Sequence, residues 1–386
     1  MVVTNMSERT DISLPGNAPG CVHNLSFIRY GAADTRPKAY IQAALHADET
    51  PGLLVMHHLR HLLDEAEAAG EITGQIVLAP IANPIGLGQV VSERVLGRYD
   101  LAGRGNFNRD FPQLLETVAE RAGTLLTKDS RHNVKLIRAA LKEAAKKQLE
   151  QAIGATETLK CLLLEAAIDA DICLDLHCDL EALMHIYLGT PLWPNAQDLP
   201  TQLGAATVLL ASNSGGQPFD EAVASPWWEL AQRYNDFPIP AACLSATVEL
   251  RGQGDVNDKL AAEDARNILT FLHRRGLLSG TPAPLPAAVA TATPLSGVEY
   301  VRSRVTGVVS FLVEPGELVE TGQPLAVIID PLAATPARGR TTICSGINGQ
   351  VFAHARDHLV RPGTILCTIA GKVPLPRKPG TGLLSD

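Results

Sequence analysis

Apolar positions follow two alternating periods along the first 280 residues. Stretches 22–30 and 38–45 carry them at strand spacing, and 74–80 (GQIVLAP) is a short β-branched run closed by Pro80. Residues 52–69 place them at helical spacing and stop at Gly70, a residue that readily takes the left-handed backbone of a helix end. Residues 130–168, rich in Ala, Leu, Lys and Glu, predict one or two helices. Further strands are expected at 171–177 (DICLDLH), 184–189 and 242–250, with helices at 201–210, 220–235 and 258–276. This alternation predicts an α/β domain over residues 1–280, with helices on both faces of a mixed, mostly parallel sheet.

The texture changes at residue 281. TPAPLPAAVATATP (281–294) is an uncharged Pro/Ala/Thr stretch and predicts a linker over 281–295. Beyond it, over 296–386, short strand-like runs are broken by Gly and Pro. Two segments there look alike, TGVVSFLVEPGELVETGQPLAVI (306–328) and NGQVFAHARDHLVRPGTILCTI (348–369). Each has a Gly-led strand, a break, a turn and a closing strand, which predicts a small all-β domain with internal two-fold symmetry. Over 296–371 it resembles the barrel-sandwich domain of biotinyl and lipoyl carriers. The hairpin that presents the modified lysine in those carriers corresponds to VIIDPLA (327–333), which has no lysine. The resemblance therefore implies the fold and not the carrier function.

Composition narrows the function. With 386 residues there is enough chain for two domains, and only 4% of them are aromatic, so the cores must be built from Leu, Val, Ile and Ala. A net charge of −8 argues against a nucleic-acid partner, which would draw on a surplus of Lys and Arg. The seven cysteines form no CxxC pair and are odd in number, as expected of free thiols in a reducing compartment. Residues 1–15 lack the apolar core of a signal peptide, and no run of about 18 apolar residues occurs. A cytoplasmic, non-membrane protein is expected.

The chemistry begins with LHADETPG (45–52), which follows a strand and precedes a helix, so that His46 and Glu49 share one turn. Far downstream a second buried strand ends in His177. Two imidazoles and a carboxylate, the last ligand distant in sequence, form the pattern of a catalytic zinc site with one position open for water. An HxxE tetrapeptide recurs by chance and a histidine at a strand end is ordinarily just a satisfied polar residue, so the combination carries the assignment. Co²⁺ or Mn²⁺ would suit the same donors. RYDLAGRGNFNRDFP (98–112) packs three arginines into one loop, and guanidinium is suited to gripping a carboxylate in two places. The bland alternative is a solvated loop with incidental charge. SATVELRGQGD (245–255) carries Glu249 in an apolar strand, a costly placement unless the carboxylate serves as a general base beside the metal.

The set LHADE, RGNFNRDFP, DLHCD and TVEL, in that order, resembles the succinylglutamate desuccinylase/aspartoacylase family of the zinc carboxypeptidase-like clan, over about residues 20–280. The resemblance implies a single Zn²⁺ on His46, Glu49 and His177, with Glu249 as catalytic base. It implies that Asn108 and Arg109 hold a substrate carboxylate, and that Arg98 stabilises the oxyanion, with Arg104 as the other candidate. The expected activity is deacylation, cleavage of a non-peptide amide in a small carboxylate-bearing substrate. Metallocarboxypeptidase action on short peptides and a non-catalytic binding protein are the alternatives. Ala47 stands where the family commonly has glycine, which puts the local turn in question. Arg251 and Gly252 replace a glycine pair, and Arg251 is expected to reach the pocket and alter substrate choice. The helical stretch 113–168 looks like an insertion.

Three features stand apart. His57, His61 and Glu65 lie at i, i+4 and i+8 on one helix face, where a solvated polar stripe is the favoured reading over a second metal site. SNSGGQPFD (212–220) is expected as a flexible loop between helices. A homo-oligomer is possible on this sequence, with the β domain capping a neighbour's pocket.

Overall fold

The structure is a computed structural model and describes residues 7–16, 18–288, 290–376 and 382–384. The first six residues of the stretch read as lacking a leader lie outside these, as do Val289 in the expected linker and several residues at the end of the expected β domain.

A nine-stranded sheet runs in the order Glu8–Leu14, His23–Tyr30, Gln75–Ala79, Lys38–Ala43, Ile172–Asp179, Leu244–Gly252, His185–Gly189, Thr207–Ala211 and Thr291–Pro294. Its central strands pair in parallel, while the first two pairings and that between Leu244–Gly252 and His185–Gly189 are antiparallel. The central strands are buried on both sides, and alternate residues enter different cores. Ile172, Leu174 and Leu176 join helices Pro51–Ala68 and Asp258–Arg274 on one face. Cys173, on the opposite face, meets helices Ser130–Gln151, Ala155–Ala167 and Phe219–Arg233. Burying each large aliphatic side chain contributes about 1.5–3 kcal/mol, so this two-sided packing fixes the strand register that carries the polar residues.

Several expectations are revised. The helix expected at 201–210 is a short one, Asp198–Leu203, followed by strand Thr207–Ala211. Gly204 ends the helix in left-handed conformation (φ 73°), and TVLLA then pairs with two neighbouring strands. The loop 212–220 consequently follows a strand rather than a helix. The helical stretch breaks at Gly154 into two helices. Within the expected linker, Thr291–Pro294 adds the ninth strand in parallel to Thr207–Ala211, so the two parts of the chain are joined through the main sheet.

Beyond that strand lies a sandwich of two small sheets around Val309, Leu325, Ile328, Val351, Leu366 and Ile369. Each similar half lends a two-residue strand to the other. Leu318–Val319 pairs with Gly349–His354, and Leu359–Val360 with Gly307–Phe311. Ser303 and Ser345 repeat the same turn, each hydroxyl donating to the carbonyl two residues on at 2.6 Å. The sandwich packs on the α/β domain through an apolar seam that includes Leu209, Leu295, Val298 and Phe352. The short strand Glu181–Ala182, just after His177, pairs with Gly349–His354 and ties the two together.

Candidate active site

The turn after strand Lys38–Ala43 brings His46 and Glu49 to the carboxyl edge of the sheet, next to the end of the strand that carries His177. The turn is closed by Glu49 N–H donating to His46 C=O (3.1 Å) and by Ala47 N–H donating to Gly97 C=O (3.1 Å). The left-handed residue here is Ala44 (φ 59°), so Ala47 needs no glycine. The constraint is on Gly97 instead. A Cβ there would come within 2.5 Å of the Asp48 nitrogen.

His46 Nδ1 lies 2.9 Å from Glu49 Oε1, and His177 Nδ1 lies 2.8 Å from Glu49 Oε2. All three residues are buried, and their donor atoms lie within 4.8 Å of one another, a group able to hold a metal ion. The far side of each imidazole is fixed by an acceptor. Asn106 Oδ1 sits 2.8 Å from His46 Nε2 and also accepts the Asn108 N–H, while Asp175 Oδ2 sits 2.9 Å from His177 Nε2. Each acceptor calls for the hydrogen on Nε2, which leaves the Nδ1 lone pairs turned to the shared point. Asp175 is held in turn by Gln42 (3.0 Å), whose Oε1 accepts the Tyr40 hydroxyl (2.9 Å).

The electrostatics call for positive charge at this point. Burial would raise the Glu49 carboxyl, but His177 and His46 outweigh it and hold it well below the usual range. Burial would depress His177, yet Asp175 and Glu49 hold it well above the ordinary imidazole value. Glu249 is the cross-strand neighbour of His177, and its side chain projects on the same face. Burial, reinforced by Glu49, pushes its carboxyl well above the usual range. Its Oε2 is enclosed without a hydrogen-bond partner among the described residues, a polar atom that a ligand would satisfy.

Of the loop arginines, Arg98 enters the site, with Nη1 donating to Glu49 Oε1 at 3.1 Å and lying 3.2 Å from His46 Nδ1. Arg104 is exposed and outside the cavity, so the choice between the two falls to Arg98. Arg109 lines the cavity and donates to the Asn108 carbonyl (2.8 Å). Asn108 is partly committed within the protein, its Oδ1 accepting the Phe219 N–H at 2.8 Å and its Nδ2 lying 3.4 Å from His177 Nε2. Arg251 does not reach the cavity. It sits in left-handed conformation (φ 64°) at a register shift and pairs with Asp264 of helix Asp258–Arg274, on the other face of the sheet. The bulge after Glu249 turns the arginine away, which corrects the expectation that it contacts substrate.

The helical stretch has a structural role at the site. Lys160 of helix Ala155–Ala167 donates to the Arg109 and Asn106 carbonyls (2.7 and 3.2 Å), and the Thr156 hydroxyl donates to Asp100 (2.6 Å). Loop 212–220 holds the other side, with Asp110 N–H donating to Gly216 C=O at 2.8 Å. Asn106, Asp175, Gln42 and Lys160 were not singled out from the sequence. For Asp175 a signal was present, since it lies two residues before His177 on the same strand face. For Lys160 there was none.

His46, Glu49, Arg98, Asn108, Arg109, His177 and Glu249 line a cavity of about 180 Å³ between the two domains. Tyr300, His354, Ile365 and Leu384 of the C-terminal part form its far wall, so the sandwich covers the pocket of its own chain.

A mixed α/β sheet with a His–Glu–His group at its carboxyl edge and a glutamate on the adjacent strand is a frame suited to hydrolysis, with a group able to hold a metal ion. The profile of the succinylglutamate desuccinylase/aspartoacylase catalytic domain matches residues 35–275, and the chain belongs to this family of deacylase-like hydrolases. A solved family protein from Shewanella amazonensis is 26% identical, covering 94% of this chain and 98% of its own with a TM-score of 0.83. Another from Shewanella frigidimarina is 25% identical over 95% and 97%, with a TM-score of 0.82. The ectoine utilization protein EutE (DoeB) of Ruegeria pomeroyi shares the fold at 18% identity, over 95% of each chain with a TM-score of 0.63. Among curated proteins none matches the chain by sequence. Both domains are thus common to solved relatives, and no helix among the described residues is long and apolar enough to cross a membrane.

Proposed function

We propose that the protein is a zinc-dependent, cytoplasmic deacylase that hydrolyses the amide of a small N-acyl amino acid bearing a carboxylate. The observation that carries this reading is the convergence of His46 Nδ1, His177 Nδ1 and the Glu49 carboxylate beside Glu249 Oε2, which has no partner among the described residues. Zinc held by those three residues would supply a Lewis acid that lowers the pKa of water toward neutrality and polarises the scissile carbonyl. Glu249 takes a proton from the attacking water at Oε2 and returns it to the leaving amine. Arg98, with one nitrogen on Glu49, offers its remaining N–H groups to the oxyanion that forms from the amide carbonyl. Arg109, with the side-chain amide of Asn108, orients the substrate by its carboxylate. The free thiols of all seven cysteines accord with a reducing compartment.

The small volume of the cavity and the sandwich wall above it favour a compact substrate over a peptide. The test is hydrolysis of an N-acyl amino-acid library by the zinc-loaded chain, with dipeptides alongside. Turnover that a chelator abolishes and zinc restores is the expected result. Cleavage of dipeptides alone would make the protein a carboxypeptidase, and zinc bound with no hydrolysis would make it a binding protein.

A further inference from the structure

The cavity wall is chemically two-sided. On one side lie the metal-binding group and charged side chains. On the other, Leu209, Leu295 and Ala353 of the apolar seam between the domains face the cavity, joined by Tyr187, Tyr300 and Leu384. This surface is built from both domains, since strands His185–Gly189 and Thr207–Ala211 meet the sandwich there.

Apart from the metal proposed for His46, Glu49 and His177 and the imidazole of His354, the charged side is short of cations. Arg98 and Arg109 are the two basic residues of types Lys and Arg that line the cavity among the described residues. Arg98 already faces Glu49, and Arg109 already donates to the Asn108 carbonyl. Against them the same cavity presents the carboxyls of Asp179, Asp220, Glu221 and Glu249 in addition to Glu49. One substrate carboxylate can be accommodated by Arg109 and its neighbours. A second would be set either against these acids or against the apolar wall, where it loses hydration without a partner.

Resting on the deacylase reading, we infer that the substrate carries a single carboxylate and an apolar group about the size of a leucine side chain. The apolar group lies against Tyr187, Leu209 and Tyr300 and gains by leaving water, while di- and tricarboxylate substrates of the kind in the family's name are rejected. Specificity is thus set by the seam between the domains, and the sandwich is a part of the substrate site.

The test compares kcat/KM of the zinc-loaded full chain for N-acetyl-L-leucine, N-acetyl-L-aspartate and N-succinyl-L-glutamate. The leucine substrate is expected ahead of both others by about 10–100-fold, the range a buried apolar group of this size commands. Leu209→Arg should cut that preference about tenfold or more. Leu384→Arg, in the partly exposed tail, tests the same wall without touching the sheet and should act in the same direction. Aspartate or succinylglutamate ahead in the parent protein overturns the inference and leaves the deacylase reading standing. If none of the three is hydrolysed, that reading fails for these substrates, and calorimetry on the zinc-loaded chain decides the inference. N-acetyl-aspartate binding as tightly as N-acetyl-leucine overturns it.

Discussion

Two histidine–glutamate clusters lie within twenty residues of each other in this chain, and their residue types are nearly the same. His46 and Glu49 are buried and converge with His177, each imidazole backed by an acceptor on its far nitrogen. His57, His61 and Glu65 lie along the outer side of helix Pro51–Ala68, with the His61 and Glu65 side chains 70% and 64% exposed and 3.5 Å apart. The first set has lost water on all sides and answers that loss with fixed partners. The second keeps its hydration, so its contacts restrain the rotamers only weakly, and exposed pairs of this kind contribute at most about 1 kcal/mol. Ligand types alone do not make a metal site; enclosure and an outer layer of acceptors do.

The sharpest way to break this comparison is to remove one histidine from each cluster. His46→Ala should abolish stoichiometric zinc and all turnover, whereas His57→Ala should retain both, as measured by metal analysis of the purified proteins. Retained zinc in the first and lost zinc in the second would overturn the assignment. Next in size, Glu249→Gln should keep the zinc and the fold while kcat falls by a factor of about 10³ or more, since a positioned base typically contributes 10²–10⁴. Normal hydrolysis by that variant would remove Glu249 from the role of base. Asp175→Asn keeps the shape of the outer layer but not its charge, and should weaken zinc about 10–100-fold in competition with a chelator. An unchanged zinc affinity would mean that His177 needs no carboxylate behind it.

A smaller effect tests Arg251, which lies on the strand of Glu249, the proposed base, yet faces the other core. Arg251→Ala leaves Asp264 buried without its partner and should cost about 1–3 kcal/mol in denaturant unfolding, with KM unchanged. A changed KM with unchanged stability would return the arginine to the pocket. The smallest effect is expected on the exposed stripe, where His61→Ala should shift stability by no more than about 0.5 kcal/mol.

How much could be read in advance follows the same division. His46, Glu49, His177 and Glu249 were legible because each sits at the end of a strongly apolar strand or in the turn after it, where a charged or coordinating group has no structural reason to be. Arg251 was expected in the pocket because it replaces a family glycine just after Glu249, and the register shift there, which no resemblance reveals, turns it to the other face. Residues 201–210 were read as one helix because Leu and Ala suit a buried helix and a buried strand alike. Pairing with Thr291–Pro294, more than eighty residues away, decided between them.

By itself the sequence determined the alternation of strands and helices, the two-fold repeat of the sandwich and the residues of the group able to hold a metal ion. These depend on local spacing and on side-chain chemistry, which travel with the chain. Only the tertiary structure decided that Arg98 rather than Arg104 enters the site, that Asn106 and Asp175 orient the two imidazoles, and that the sandwich closes the pocket of its own chain. Each of these is a contact between segments tens to hundreds of residues apart, set by how the sheet orders its strands and by which loop leans on which helix. No periodicity within one segment encodes that.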